Sequence, residues 1–384
     1  MERTANIFSR SLLACIIAAA AVIGYFYAAL PAVITVDNSA ECSFSAAEAS
    51  STAFSAAELR ESGGTYSYYI GALPIKEAAA VPAKRPMLVP CGTPFGIKLK
   101  AEGVMVVAVR DGSPAAEAGL KKGDVILGIN GEDICTDEEL SAALLPENTI
   151  RLRRGDSELC LDCAACGSGD GGRKIGAWVR DSAAGIGTLT FYDPESGKFG
   201  GLGHSVSDAT TGETVPLLSG EITSADIYDI VRGSEGEAGE LCGALLPDSV
   251  KGQLSANTSV GVFGELNETP CGSAIPAAFR QEVKTGSAYI LTTVSGTTPK
   301  KYSIEIERIN LLGLGGSKSM LIRITDPELI EQTGGIVRGM SGSPIIQDGK
   351  LVGAVTHVFV SDPTRGYAVG IDDMLKAAGI FCET

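Results

Sequence analysis

Histidine is nearly absent from this sequence: its 384 residues include two, His204 and His357. Any chemistry that needs an imidazole as general base must use one of them. Positive charge is also scarce, with 31 Lys and Arg against 46 Asp and Glu and a net charge of −15. That balance, without a basic patch or a phosphate-cradling loop, argues against a nucleic-acid partner. Charge of either sign is missing from Leu12 to Val36, behind Arg3 and Arg10 and ahead of Asp37 and Glu41. Such a run is long enough to span a bilayer with some tilt, and the positive flank keeps the N-terminus cytoplasmic. Residues 1–36 therefore read as a signal anchor or transmembrane helix that exports the body; a cleaved signal peptide is the competing reading.

What the chain does carry is a nucleophile-type loop, Gly339-Met340-Ser341-Gly342-Ser343-Pro344, followed by the strand-like Ile345-Ile346 and a turn at Gln347-Asp348-Gly349. A Ser hydroxyl is a poor nucleophile, so acyl transfer needs it on a tight turn with amide N–H groups aimed at the oxyanion. Glycines at 339 and 342 permit that turn, and the N–H groups of Gly339 and Ser341 then converge as an oxyanion hole. The bland alternative is a Gly/Ser surface loop. For the base, His204 ends a hairpin-like stretch: Gly187–Tyr192 alternates as a strand, Asp193–Gly197 turns, and Lys198–Leu202 returns. His357 lies in the apolar run Gly353–Val360 and reads as a strand or pocket-wall residue. The third member of such a triad is a carboxylate that orients the imidazole. Asp208, in a polar loop, and Asp326, which also suits the N-cap of a helix starting at Pro327, stand near even on the residues alone.

Between Cys91 and Cys160 the chain shows Pro94-Phe95-Gly96-Ile97, two apolar strands, Ser113-Pro114-Ala115-Ala116-Glu117-Ala118-Gly119-Leu120 and Lys121–Gly131. This resembles bacterial PDZ domains. It implies a short helix ended by Gly119, a hairpin turn at Asn130-Gly131, and a groove helix from Thr136 to Leu144 capped by Thr136 and Glu139. A peptide would add between that helix, through Leu140 and Leu144, and the Ile97 strand, its end received by the amides of Phe95, Gly96 and Ile97. A PDZ that merely packs on the rest of the chain is the alternative. Residues 37–90 read as an Ala/Ser/Pro-rich tether: Phe44–Glu48 recurs as Phe54–Glu58, and Pro74, Pro82, Pro86 and Pro90 keep the chain extended. Ten cysteines in an exported chain permit disulfides. Cys160, Cys163 and Cys166 lack a fourth ligand for zinc, so neither a metal nor another cofactor is expected; disulfides or free thiols are the stronger reading, and a local disulfide at Cys160 and Cys163 would stiffen the junction between the modules.

The segments Ile324–Leu329, Thr333–Ile345 and Ala354–Val360, with the Gly201-Leu202-Gly203-His204 loop, closely resemble the stage IV sporulation protein B (SpoIVB) serine peptidases. That resemblance implies a mainly β protein: a membrane anchor, a PDZ domain (α+β) over 91–164, and a chymotrypsin-like double β-barrel peptidase domain over 165–384. It implies a catalytic triad of His204, Asp326 and Ser341, and so favours Asp326 as the carboxylate. It further implies a self-cleaving endopeptidase acting in sporulation signalling. The body would lie in the intermembrane space between forespore and mother cell. There it would cleave the regulatory partner of an intramembrane protease and permit activation of a late sigma factor, while its PDZ groove takes a peptide or a segment of the chain itself. The alternative from another class is an extracytoplasmic PDZ scaffold whose protease-like domain only binds.

Overall fold

The computed structural model describes residues 2–30, 32–37, 58–62, 65–167, 172–309 and 316–380. Twelve strands form two closed barrels. The first contains β1 (Pro94–Val109), β2 (Ala177–Tyr192), β3 (Lys198–Gly201), β4 (Leu217–Val231), β5 (Glu240–Thr258) and β6 (Gly261–Leu266). Its pairing runs β1-β4-β5-β6-β3-β2 and closes through β1 on β2. The second contains β7 (Gly286–Thr292), β8 (Lys300–Ile309), β9 (Met320–Ile324), β10 (Pro344–Gln347), β11 (Lys350–Phe359) and β12 (Asp362–Gly370). It runs β7-β8-β9-β12-β11-β10 and closes through β10 on β7. Numbered within each barrel, both follow the order 1-2-3-6-5-4, so one closed Greek-key topology occurs twice. Closure removes the free edges that an open sheet of this size would expose. Alternation along the strands fills each interior: Ile290, Tyr302, Ile304, Ile306, Ile322 and Val355 in the second barrel, and Phe95, Ile97, Leu99, Leu189 and Val262 in the first.

The PDZ-like part is built into the first barrel instead of preceding it. In β1, Pro94–Ala101 pairs with barrel strands, whereas Val104 and Met105 pair with Ile126 and Val125 of the strand Val125–Ile129. Gly103 marks the handover with φ +93; a Cβ there would lie 2.4 Å from the Ile126 carbonyl oxygen. The chain returns along β2, whose Ala177–Arg180 pairs with Val109–Met105 before the same strand enters the barrel. Locally the sequence signals hold. Thr136 and Glu139 form the capping box of α2 (Asp137–Ala142), and Asn130 and Gly131 both take positive φ in the hairpin turn.

The peptide groove expected from the sequence is not formed by the residues proposed for it. Ile97 pairs with Gly185 on one side and Ile222 on the other, and Phe95 and Gly96 are likewise paired on both sides, so no edge is open to an added strand. Leu140 and Leu144 point into the PDZ core with Val104, Ile126 and Ile150. The reason is continuity: β1 spends its first half closing the barrel, so that half cannot also present a free edge.

At the N-terminus, α1 (Glu2–Ala29) gives way to the strand Val33–Asp37, which pairs in parallel with Leu73–Ala83. The uncharged run is thus divided between a helix and a strand, and Lys76 caps the helix end through the carbonyls of Tyr27 (3.1 Å) and Leu30 (2.7 Å). Among the described residues no helix is long and apolar enough to cross a membrane, so the expected transmembrane helix is not supported. The stretch read as a tether contains the strands Glu58–Ser62, Thr65–Ile70 and Leu73–Ala83, which bury Leu59, Tyr66, Tyr68 and Ala78 with Leu30 and Ile34, and the strand Met87–Pro90, which pairs with β2. The first copy of the Ala/Ser near-repeat and all of the second but Glu58 lie outside the described residues. The eight cysteines among the described residues are free, Cys160 and Cys163 included.

Candidate active site

The loop around Ser341 is fixed by hydrogen bonds on nearly every backbone group. It follows α3 (Pro327–Thr333), which ends at Gly334 in the left-handed region. The carbonyls of residues 339 to 342 all have donors. Thr188 Oγ1 donates to Gly339 O (2.7 Å), Ser343 Oγ to Met340 O (2.7 Å), Thr188 N–H to Ser341 O (3.0 Å) and Thr190 Oγ1 to Gly342 O (2.7 Å). Ser343 Oγ also lies 2.9 Å from Thr292 Oγ1. The N–H groups of Met340, Gly342 and Ser343 donate to Val337 O, Val355 O and Met340 O. Two donors remain: among the described residues the N–H groups of Gly339 and Ser341 meet no acceptor. Backbone donors in such a loop are seldom left unpaired, so these two half-buried amides are open to an acceptor from outside the chain.

The first barrel brings His204 to this loop. Leu202 and Gly203 both take positive φ (65 and 71), an unusual conformation for leucine that turns the chain sharply off β3. Gly342 approaches this bend so closely that a Cβ on it would lie 1.9 Å from Thr188 O and 2.6 Å from Leu202 N. His204 Nδ1 is 2.8 Å from the Ser205 carbonyl oxygen. A carbonyl only accepts, so Nδ1 carries the proton and Nε2 is left with a free lone pair, the form required of a base. Asn257 holds the loop beyond: its Oδ1 accepts from Val206 N–H (2.8 Å), and its Nδ2 donates to Val206 O (2.9 Å) and Val215 O (2.8 Å). Burial pushes the His204 pKa down, partly countered by the Ser205 contact. The His357 ring lies 5.1 Å from the His204 ring, its Nδ1 buried without a partner. Burial, then the neighbouring His204 and Lys318, lower its pKa to about 4.

Neither candidate carboxylate touches the two imidazoles. Asp326 is the N-cap of α3: Oδ1 accepts from Glu328 N–H (3.0 Å) and Leu329 N–H (3.3 Å), and Oδ2 from Ser303 N–H (3.1 Å). The Asp326–His204 pairing that the resemblance implies is not formed in this structure: the first turn of α3 holds Oδ1 and the backbone of β8 at Ser303 holds Oδ2. Asp208 is buried, accepts from the N–H groups of Thr210 and Thr211 and pairs with Arg180. Burial alone would raise its pKa, but those amides and Arg180 outweigh it and hold it below the usual range. The residues that do shape the site, Thr188, Thr190, Thr292 and Asn257, carry no sequence signal of their own. Threonine is common in strands, and their roles exist only once two barrels meet.

Two closed six-stranded barrels of one topology, with the Ser341 loop packed against the bend that leads to His204, make a double barrel of the chymotrypsin-like class. The SpoIVB peptidase S55 family matches residues 171–375 and the PDZ domain family residues 105–153. The chain belongs to the SpoIVB peptidase S55 family. It is 40% identical over 73 residues to the periplasmic serine endoprotease DegP of Escherichia coli K12, covering 18% of this chain and 15% of that protein. It is 39% identical over 59 residues to the serine protease HTRA1 of Xenopus laevis, covering 15% and 13%. The chain thus matches only about a seventh of the length of these relatives. Among solved structures, the Rv3671c protease of M. tuberculosis in its active form aligns at 14% identity and a TM-score of 0.31, over 53% of this chain and 77% of that one.

Proposed function

We propose that Ser341 is the nucleophile and His204 the general base of this peptidase, and that the N–H groups of Gly339 and Ser341 form the oxyanion hole. The observation that carries the reading is the pair of unclaimed amides on an otherwise fully bonded loop. In the proposed reaction Ser341 Oγ attacks the scissile carbonyl carbon as its proton passes to His204 Nε2. The carbonyl oxygen takes up the negative charge between the two amides, worth about 3 to 4 kcal/mol per donor in comparable sites. Collapse breaks the C–N bond, His204 returns the proton to the departing amine, and water repeats the sequence on the acyl-enzyme. In this geometry the Ser205 carbonyl does the orienting that a carboxylate performs in other triads, and Asp326 contributes through the helix that leads to the nucleophile loop.

Family membership supports a wider reading. The enzyme acts in sporulation signalling by cleaving the regulatory partner of an intramembrane protease, which permits activation of a late sigma factor, and it also cleaves itself. Its PDZ part takes a peptide or a segment of the chain itself, and its body lies between forespore and mother cell. The uncharged stretch after Arg3 and Arg10 supports attachment to a membrane. Labelling with a serine-directed fluorophosphonate, with the modified residue mapped, tests the site: modification at Ser341, lost in Ser341→Ala and strongly slowed in His204→Ala, is expected. Labelling that survives Ser341→Ala would overturn the assignment.

A further inference from the structure

The long hairpin of β4 and β5 leaves the first barrel and reaches the segment that precedes Gly339. Its tip closes on itself through Ser234 and Glu237, which exchange backbone bonds of 3.0 and 2.9 Å. From there it grips residues 330–338: Gly233 N–H donates to Thr333 O (2.8 Å), Arg232 to Ile330 O (3.3 Å), and Arg338 N–H to Gly239 O (2.9 Å). Leu241 N–H donates to Arg338 O (2.9 Å), which makes Glu240 and Arg338 a short parallel bridge between the two barrels. Gly236 N–H reaches Val360 O (2.9 Å) between β11 and β12, so the tip is fastened at both sides.

The bond from Leu241 has a consequence through the planarity of the peptide group. Arg338 C=O and Gly339 N–H belong to one trans peptide, so they point in opposite directions. Whatever holds the carbonyl sets the amide. The Leu241 side chain also occupies the space beside Gly339, 3.1 Å from where a Cβ would stand. We propose that the β4–β5 hairpin tip is the positioning element of the oxyanion hole: Leu241 N–H, by holding Arg338 O, aims the Gly339 N–H at the reacting carbonyl. Leu241 touches no substrate, so it is a positioning residue; the inference rests on the site assignment above.

Replacing Leu241 by its α-hydroxy analogue, which exchanges the N–H for an ester oxygen and keeps the side chain, isolates this bond. With a fluorophosphonate probe on the full chain, the maximal rate of inactivation is expected to fall by about 10²- to 10³-fold, as for loss of one oxyanion donor. The concentration for half-maximal rate is expected to stay unchanged. Leu241→Ala retains the N–H and is expected to lower the melting temperature with a much smaller loss of rate, which separates aiming from packing. A wild-type maximal rate in the ester variant, or a change confined to the half-maximal concentration, would overturn the proposal. Ser341→Ala run alongside distinguishes the two levels: labelling that persists there removes the site assignment itself, whereas labelling lost there but unaffected by the ester removes only the role of the hairpin.

Discussion

His204 and His357 face each other with ring centroids 5.1 Å apart and planes tilted by 41°. The two histidines of the chain, 153 positions apart, are thus brought together from different barrels. Two adjacent imidazolium ions would repel, and both rings are partly removed from water, so each favours its neutral form. Neutrality suits the role of general base proposed for His204.

That pairing makes stability and activity depend on pH in a defined direction. In the unfolded chain His357 titrates near its ordinary value of 6.5, whereas in the folded protein it titrates at about 4. Between those values the unfolded state binds the extra proton, so stability is full above the upper one and declines as the pH falls towards the lower. Denaturation midpoints in His357→Ala are expected to change less over this window than in the parent. A parent whose stability is flat across it would contradict the burial of this ring. The acid limb of activity, which follows His204, is expected below its ordinary value of 6.5, because burial lowers that pKa.

Asp326 separates two roles through two substitutions. Asparagine caps a helix as well as aspartate does, whereas alanine loses about 0.5 to 2 kcal/mol. If capping is its contribution, Asp326→Asn retains activity and stability, and Asp326→Ala is mainly destabilised. A loss on the order of 10⁴-fold in kcat for Asp326→Asn, with an unchanged melting temperature, would instead place the carboxylate against the imidazole during turnover.

Gly342→Ala is expected to eliminate labelling of Ser341. The new Cβ would meet Thr188 O and Leu202 N within 2.6 Å, and φ is +96. The strain falls on the contact between nucleophile loop and histidine bend, so activity fails at temperatures where circular dichroism still reports folded barrels.

Thr188→Val removes the hydroxyl that satisfies Gly339 O. Leaving that carbonyl unpaired costs about 1 to 3 kcal/mol, and the expected signature is a fall in kcat with KM little changed. Asn257→Ala, which leaves Val206 N–H without its acceptor and Val206 O with Val215 N–H alone, is expected to act on the other partner, slowing proton transfer through a less constrained His204. Measured rate constants for both variants with one peptide substrate check these directions.

The local motifs were legible because they depend on neighbours in sequence. The capping box at Thr136, the positive-φ turn at Asn130-Gly131 and the glycine-flanked Ser341 are determined by backbone sterics over a few residues. The Phe95–Ile97 strand was misplaced for the opposite reason: its composition suits either a peptide-binding edge or a barrel wall, and only its pairing with Gly185 and Ile222 chooses. Asp326 was ambiguous in the same way, since a carboxylate before a Pro-initiated helix looks alike whether it caps that helix or reaches a histidine.

By itself the sequence determined which side chains are available: a scarce imidazole, a serine on a turn that only glycine permits, and alternating apolar strands enough for two barrels. The tertiary structure decided which of them meet. Strand order carried His204 to the serine loop, Thr188 and Thr190 to its carbonyls and Leu241 to the peptide before Gly339, because hydrogen bonds across barrels join residues far apart in the chain.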